Sequence, residues 1–476
     1  MTIKKRAKIV VTLGPATDSE EKIKELIKAG ANVFRFNTSH GSSDYHKEKI
    51  RLVKKIADDM KVFVATLVDL QGPKIRIGVL DNEIPLEKGQ EIILEHYSGE
   101  KKENIIPVDY KGIADDVETG EIILVDDGKI QLRVKEIKNR QVITNVVVPN
   151  VLKSRKGINI PGSTASLNAV TDRDIDFIKL AVEEDVDFLA LSFVREKNDI
   201  LTAKEYVKKF NGDIPIVAKL EKPQSIENLD EIVEVSDAIM VARGDLGIEL
   251  SPVEVPVCQK KIIKTCNKYK KAVIVATQML ESMIENPIPT RAESSDVANA
   301  ILDGADAVML SGETSVGKYA VEAVKMMSEI ILAAESSGFY EFDYDIEPAD
   351  DTSTMTRHAV VYGADKMIKF VGAKVILSFS HTGKSTRILS KLKPKVPIVL
   401  ICDMKKTARR MALSWGVFPF YKNWDEPITN DILLKFDEFL INEIKLKKGD
   451  YVIIIGSQPN LITSRTNFVR VHRIGA

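Results

Sequence analysis

The chain has 476 residues, with 68 Lys and Arg against 69 Asp and Glu, and 44% of its side chains are apolar. That length accommodates two or three domains with a large core, and the apolar fraction excludes a disordered chain. A net charge of -1 gives no basis for a nucleic-acid or anionic-membrane partner. Three cysteines (Cys258, Cys266, Cys402) form neither a CxxC pair nor a disulfide framework, which fits a reducing cytoplasm. The six histidines are scattered and predict no zinc site. The apolar run after Lys4 to Arg6 is too short for a signal segment, and no run reaches membrane-spanning length.

Residues 9–13 are predicted as a strand, 18–29 as a helix stopped by Gly30, 33–36 as a strand, 45–59 as a helix and 62–68 as a strand. Between 70 and 170 helical periodicity disappears and short strands take over, at 91–94, 122–125, 130–134 and 141–148. A loop of that length is improbable, so 70–170 is assigned to a small all-β domain inserted after the third strand, placed as a lid. Alternation resumes at Thr171, with a helix at 172–184 and strands at 188–193, 214–221, 238–242, 272–277 and 306–310. Eight strand–helix units predict a TIM barrel built from 1–69 and 171–340, with its site at the carboxyl ends of the strands. Residues 335–352 read as a linker. Residues 350–476 read as a separate α/β domain, with helices at 356–370, 385–392 and 406–413 and strands at 374–379, 398–401, 451–455 and 468–472.

The run Ile214-Pro-Ile-Val-Ala-Lys-Leu-Glu221 ends in two charged residues at i and i+2, which on a strand share one face. The next strand ends in Arg243-Gly-Asp245, so Glu221 and Asp245 come from neighbouring strand ends. Two such carboxylates suit a hard divalent cation, and a lysine beside them suits a phosphoryl group. Polar residues close seven of the eight strands: Asn37, Asp69, Ser192, Lys219 with Glu221, Asp245, Thr277 and Ser311. Singly each is ordinary; repeated, they favour a site.

Further motifs occur in order: Thr12-Leu-Gly-Pro15, Asn32-Val-Phe-Arg-Phe-Asn-Thr-Ser-His-Gly41, Asp69-Leu-Gln-Gly-Pro-Lys-Ile-Arg-Ile-Gly78, Lys156-Gly-Ile-Asn-Ile-Pro-Gly162, Ala276-Thr-Gln-Met-Leu-Glu-Ser282 and Val308-Met-Leu-Ser-Gly-Glu-Thr314. With the 214–226 and 240–247 segments, they make the whole chain resemble the pyruvate kinase family. The resemblance implies phosphoryl transfer from phosphoenolpyruvate to ADP, giving pyruvate and ATP, in a cytoplasmic homotetramer. It implies Mg²⁺, with Mn²⁺ as a substitute, on Glu221 and Asp245. It implies that Lys219 stabilises the phosphoryl in flight and that Arg35 clamps phosphate. Gly244 and Asp245 would receive the substrate carboxylate, and Thr277 would support enolate protonation through water. Asn37, Thr38, Ser39, His40, Arg76 and Lys156 match the family's nucleotide contacts.

Asn37, Ser39, Asp69, Leu70 and Lys74 correspond to its monovalent-cation region. Many members carry glutamate where Lys74 stands and require K⁺; this pattern resembles the K⁺-independent branch, in which the lysine supplies that charge. In the C-terminal domain, Ser380, Thr382, Gly383, Lys384, Ser385 and Thr386 follow a strand and open a helix. The family's equivalent loop binds a phosphorylated effector; an ordinary strand–helix turn carries equal weight.

Plainer readings exist for each part. Lys219 and Glu221 taken alone form a rim ion pair as readily as a site, and Asp245 alone is a helix cap. Arg35 and Arg76 alone are surface residues. Arg243-Gly-Asp245 mimics an adhesion tripeptide, which a strand-end site in a cytoplasmic chain explains better; Asn37-Thr-Ser39 matches a glycosylation acceptor, which without a secretion signal carries no meaning. Two other functions compete: a Mg²⁺-dependent barrel performing carbon–carbon chemistry on pyruvate or phosphoenolpyruvate, and a non-catalytic metabolite sensor. Arg76 and Lys156 at the insertion's edges oppose the first. Lys219, Glu221, Asp245 and Thr277 occurring together oppose the second.

Overall fold

The computed structural model describes residues 5–96, 105–161, 168–340, 342, 351–427, 429–463 and 465–475. Eight strands close a parallel barrel: Lys8–Thr12, Val33–Asn37, Ala65–Asp69, Phe188–Leu191, Ile216–Leu220, Ala238–Ala242, Ala272–Ala276 and Ala307–Leu310. Each pairs with its neighbours in sequence, and the last pairs with the first. The strands read as near-continuous apolar runs because both faces are covered.

Alternate residues face opposite ways. Val10, Val33, Leu67, Val217, Met240 and Ile274 pack together in the barrel lumen. Ile9, Phe34, Val68, Ala218 and Val241 pack outward against the helices. Following the lumen set toward the carboxyl ends leads from Val10 to Thr12, from Val33 to Arg35, from Leu67 to Asp69 and from Val217 to Lys219. The period-2 geometry thus aims four polar side chains at one place.

The helix starts at Glu20 and Asp172 are capped by side chains. Ser19 caps Glu20–Ala29, and Gly30 ends that helix in the left-handed region that glycine adopts without strain. Thr171 and Asp174 form a reciprocal capping box where the chain returns to the barrel at Asp172–Glu183.

The chain leaves the barrel after Asp69 and forms a seven-stranded sheet and a two-stranded sheet before returning. This insertion has its own apolar core, including Leu94, Val108, Ile123, Leu132 and Val142. The C-terminal part holds a five-stranded sheet. Val417–Tyr421, Ile398–Cys402, Val375–Phe379 and Tyr451–Gly456 run parallel in that order, and Phe468–Arg473 pairs antiparallel at the edge. Among the described residues no helix is long and apolar enough to cross a membrane.

Several expected boundaries move. Glu335 belongs to helix Ala320–Ser336 rather than to a linker, because its buried carboxylate accepts from the Arg6 and Ala7 amides. Most of the rest of the expected linker lies outside the described residues. The helix expected at 406–413 is an α-helix only over Lys405–Arg410. Met411–Leu413 tighten into a 3-10 turn, and Ala412 and Leu413 join the barrel-lumen cluster. Strand Val417–Tyr421 and helix Asn430–Asn442 are additional to the expected elements. Pro419 argues against a strand, and the structure accommodates it at the sheet edge.

Candidate active site

A chain of alternating charges crosses the carboxyl end of the barrel. Thr12 Oγ1 accepts from Arg35 Nη1 at 3.0 Å, and Arg35 Nε donates to Asp69 Oδ2 at 2.6 Å. Lys219 Nζ lies 3.2 Å from Asp69 Oδ1 and 2.9 Å from Glu221 Oε1. It also donates to Ser192 Oγ at 2.6 Å, and Ser192 Oγ donates to the Leu70 carbonyl at 2.8 Å. The second oxygen of Glu221 accepts from the Phe193 amide at 2.9 Å. Four consecutive barrel strands and the loops that follow them supply the network from Arg35 to Glu221.

Burial costs every one of these charges, and partners decide the outcome. Burial opposes ionisation of Asp69, but Lys219 and Arg35 outweigh it and hold the carboxyl below its usual range. Burial disfavours the Lys219 ammonium, yet Asp69 and Glu221 overcome this and raise its pKa. For Glu221, burial dominates, Lys219 only partly offsets it, and the charge of Asp245 adds to it, so the carboxyl is pushed up.

Glu221 and Asp245 are therefore close enough to repel. Among the described residues the half-buried Asp245 carboxylate has no hydrogen-bond donor or cation partner. No three His, Cys, Asp or Glu side chains converge as a metal cage among those residues either. This donor set fits a hard divalent cation that keeps water or substrate oxygens, because excess negative charge sits on two oxygen-bearing side chains with coordination left to fill.

Asp245 lies in the first turn of a seven-residue helix, Arg243–Glu249. The Gly244 amide donates to Thr277 Oγ1 at 2.7 Å, and that hydroxyl donates to the Ala276 carbonyl at 2.6 Å. Thr277 is held at φ +70°, a left-handed conformation unusual for a β-branched residue. Arg243 fixes it there by donating to the Thr277 carbonyl at 2.7 Å while paired with Asp296. Backbone strain of this kind concentrates at functional sites.

The family models decide the class. The model described as pyruvate kinase, barrel domain, matches residues 4–324, and that described as pyruvate kinase, alpha/beta domain, matches 358–472. The chain belongs to the pyruvate kinase family. A pyruvate kinase of Staphylococcus saprophyticus is 41% identical over 478 residues, covering 99% of this chain and 81% of that protein. One of Staphylococcus aureus is 40% identical over 477 residues with the same coverage. Members of the family are phosphotransferases that move the phosphoryl group of phosphoenolpyruvate to ADP, and this chain carries that activity.

The residues matched to the family's nucleotide contacts are dispersed in role. Arg76 and Gly157 are paired across two insertion strands, which brings Arg76 beside Lys156. Lys156 is bound to Asp126 at 2.8 Å, and Arg76 Nη1 donates to the Arg155 carbonyl. Thr38 is fully buried, with its amide and hydroxyl both donating to the Asp69 carbonyl. Asn37 Oδ1 accepts from the Ser39 amide, and His40 is exposed. Leu70 is buried and its carbonyl is taken by Ser192. Lys74 lines a narrow cleft with Asn159, Phe193, Lys222 and Asp245, and among the described residues it has no carboxylate partner.

Sequence reasoning missed three contributors. Thr12 supplies the polar end of the remaining strand, a signal available from its period-2 relation to Val10. Arg243 shapes Thr277. Glu249 joins the insertion to the barrel, because its Oε1 accepts from Asn159 Nδ2 at 2.9 Å and from Lys222 Nζ at 2.6 Å.

In the loop that opens helix Lys384–Lys391, three hydroxyls turn inward. Ser380 accepts from the Gly383 amide, Ser385 pairs with Thr466, and Thr386 pairs with Ser378. Thr382 and Lys384 are exposed.

Proposed function

We propose that the charge chain from Arg35 to Glu221 is the machinery of phosphoryl transfer. The observation that carries this is the position of Lys219, an ammonium held cationic between Asp69 and Glu221 at the strand ends. Phosphoryl transfer needs positioning and charge neutralisation more than covalent chemistry. Lys219 stabilises the equatorial oxygens of the transferring group. Arg35, fixed by Asp69 and Thr12, presents the remaining face of its guanidinium to phosphate. Glu221 and Asp245 would hold Mg²⁺, which would supply Lewis-acid polarisation of substrate oxygens. Thr277, kept rigid by Arg243 and the Gly244 amide, orients the water that protonates the enolate. Gly244 and Asp245 lie where the substrate carboxylate binds, once the Gly244 amide exchanges Thr277 for it. Arg76, Lys156, Asn37, Ser39 and His40 contact the nucleotide, with Thr38 supporting their loop from behind.

Lys74 replaces K⁺. Two facts support this. Asp69 is already neutralised by Arg35 and Lys219, and Lys74 has no carboxylate partner among the described residues. We read the barrel as 1–69 with 171–340, the lid as 70–170 and the regulatory domain as 350–476. A phosphorylated effector engages the loop 380–386 through Lys384, Thr382 and amides at the helix start. The protein is a cytoplasmic homotetramer; exposed Val253, Val257 and Phe370 offer apolar contact surface.

The test is a coupled assay for pyruvate from phosphoenolpyruvate, ADP and Mg²⁺. Turnover abolished in Lys219→Met upholds the assignment, and unchanged turnover removes it. Lys384→Ala with Thr382→Ala is expected to abolish effector activation and spare basal turnover.

A further inference from the structure

One buried carboxylate joins three pieces of the molecule that the reaction needs in register. Glu249, with its side chain 1% exposed, ends helix Arg243–Glu249. Its Oε1 accepts from Lys222 Nζ at 2.6 Å and from Asn159 Nδ2 at 2.9 Å. Lys222 directly follows Glu221, and Asn159 ends the lid strand Gly157–Asn159. Among the described residues Glu249 Oε2 is buried without a donor. A buried carboxylate with one oxygen unanswered is a poor device for stability, so its presence calls for another reason.

The barrel arm of this junction braces the acid pair. Asp245 and Glu249 stand four residues apart, on one face of their helix. The Lys222–Glu249 bond therefore ties the two segments together immediately beyond Glu221 and Asp245, whose charges repel. Lys222 Nζ also lies over the Phe193 ring, 5.8 Å from its centre, and the Phe193 amide donates to Glu221 Oε2.

The lid arm carries the residues matched to the nucleotide. Gly157 pairs with Arg76 across strands Gly157–Asn159 and Ile75–Arg76, and Lys156 precedes that pair. Arg76, Lys156 and Asn159 thus belong to one small sheet region. The cleft between lid and barrel, lined by Lys74, Asn159, Phe193 and Asp245, holds about 50 Å³. Small-molecule sites usually hold about 300–1,000 Å³. The lid is therefore closed in this structure, and it swings outward to admit substrates.

We propose that Glu249 is a positioning residue, the latch that brings the nucleotide-bearing lid into register with Glu221 and Asp245. On closure Asn159 donates to the oxygen that Lys222 already holds. One atom then places the nucleotide half of the site and fixes the spacing of the two acids. On opening Asn159 leaves, Lys222 stays, and the acid pair keeps its spacing. The inference rests on the phosphoryl-transfer reading of the strand ends.

The experiment joins steady-state kinetics to a distance measurement on the full chain. Spin labels at Lys135→Cys on the lid and Glu48→Cys on the barrel, both exposed, are read by pulsed electron paramagnetic resonance in a Cys258→Ser background; Cys266 and Cys402 are buried. Asn159→Ala is expected to lengthen the lid–barrel distance and to raise the KM for ADP about tenfold, with kcat and the Mg²⁺-induced rise in Tm changing far less. Asn159→Gln is expected to recover part of both. Glu249→Ala is expected to open the lid equally and, by releasing Lys222, to shrink the Mg²⁺-induced rise in Tm. Adding Asn159→Ala to Glu249→Ala is expected to move neither the distance nor the KM further. An unchanged distance in Asn159→Ala overturns the proposal, as does an unchanged KM for ADP or full additivity of the two substitutions. The distance is read without turnover, so failure of the latch and failure of the phosphoryl-transfer assignment give different results.

Discussion

Lys219 Nζ sits 2.9 Å from Glu221 Oε1, and the two residues are a single pleat apart at the end of one strand. The pair is a consequence of strand periodicity, and the same periodicity aims it into the lumen beside Asp69. Lys219→Met removes the central cation while Arg35 continues to neutralise Asp69. We expect kcat to fall by about 10²–10³ or more with a folded protein, and the apparent KM for phosphoenolpyruvate to change far less. A loss below tenfold, read in the coupled assay, sinks the role given to Lys219.

Glu221 is raised by burial and by Asp245, with Lys219 only partly offsetting both. Glu221→Gln should raise the Mg²⁺ concentration for half-maximal activity at least about tenfold. Asp245→Asn should act in the same direction. The Mg²⁺-induced rise in Tm of the wild type should shrink in both variants. A variant that keeps the full shift is not a ligand.

Monovalent ions provide a third check. Wild-type turnover should be the same in potassium, sodium and tetramethylammonium buffers. Lys74→Glu should create a potassium requirement, with activity in sodium falling by about tenfold or more. Strong potassium dependence of the wild type would instead show that Lys74 does not fill that role.

A fourth expectation concerns pH. Lys8 is buried in the barrel floor, donates to the Val417 carbonyl, and is pushed down to about 7 by burial against the opposing charge of Glu335. Its unfolded value is the higher one, so between about 7 and 10.5 the unfolded chain binds more protons and stability rises with pH. Across pH 7 to 9 this amounts to on the order of 1–2 kcal/mol. The urea midpoint of wild type relative to Lys8→Met should rise over that window. A constant difference would place the Lys8 charge outside the folding linkage.

Most of the barrel was legible because its signals are local. Apolar runs, the glycine stop at Gly30 and polar residues at strand ends all lie within a few positions of one another. Lys219 and Glu221 were readable as one face for the same reason. Thr12 was equally available but hidden by its ordinary residue type. The partners that only folding brings together were not readable. Nothing near Asn159 announces Glu249, and nothing near Thr277 announces that Arg243 will hold its carbonyl. The inward turn of Ser385 and Thr386 was likewise invisible, since Thr466 and Ser378 select it from other elements. Strand Val417–Tyr421 was masked by Pro419, which only a sheet edge makes tolerable.

The first barrel strand has two appointments. At its lower end Lys8 is tied to Val417 of the C-terminal domain, whose Ala412 and Leu413 stop the barrel like a cork. At its upper end, four residues and about 13 Å away, Thr12 steadies Arg35. The barrel thus has no floor of its own: cut free of the last hundred residues, it would present an apolar mouth to water, and Lys8 would lose its carbonyl partner on the same strand whose other end steadies Arg35.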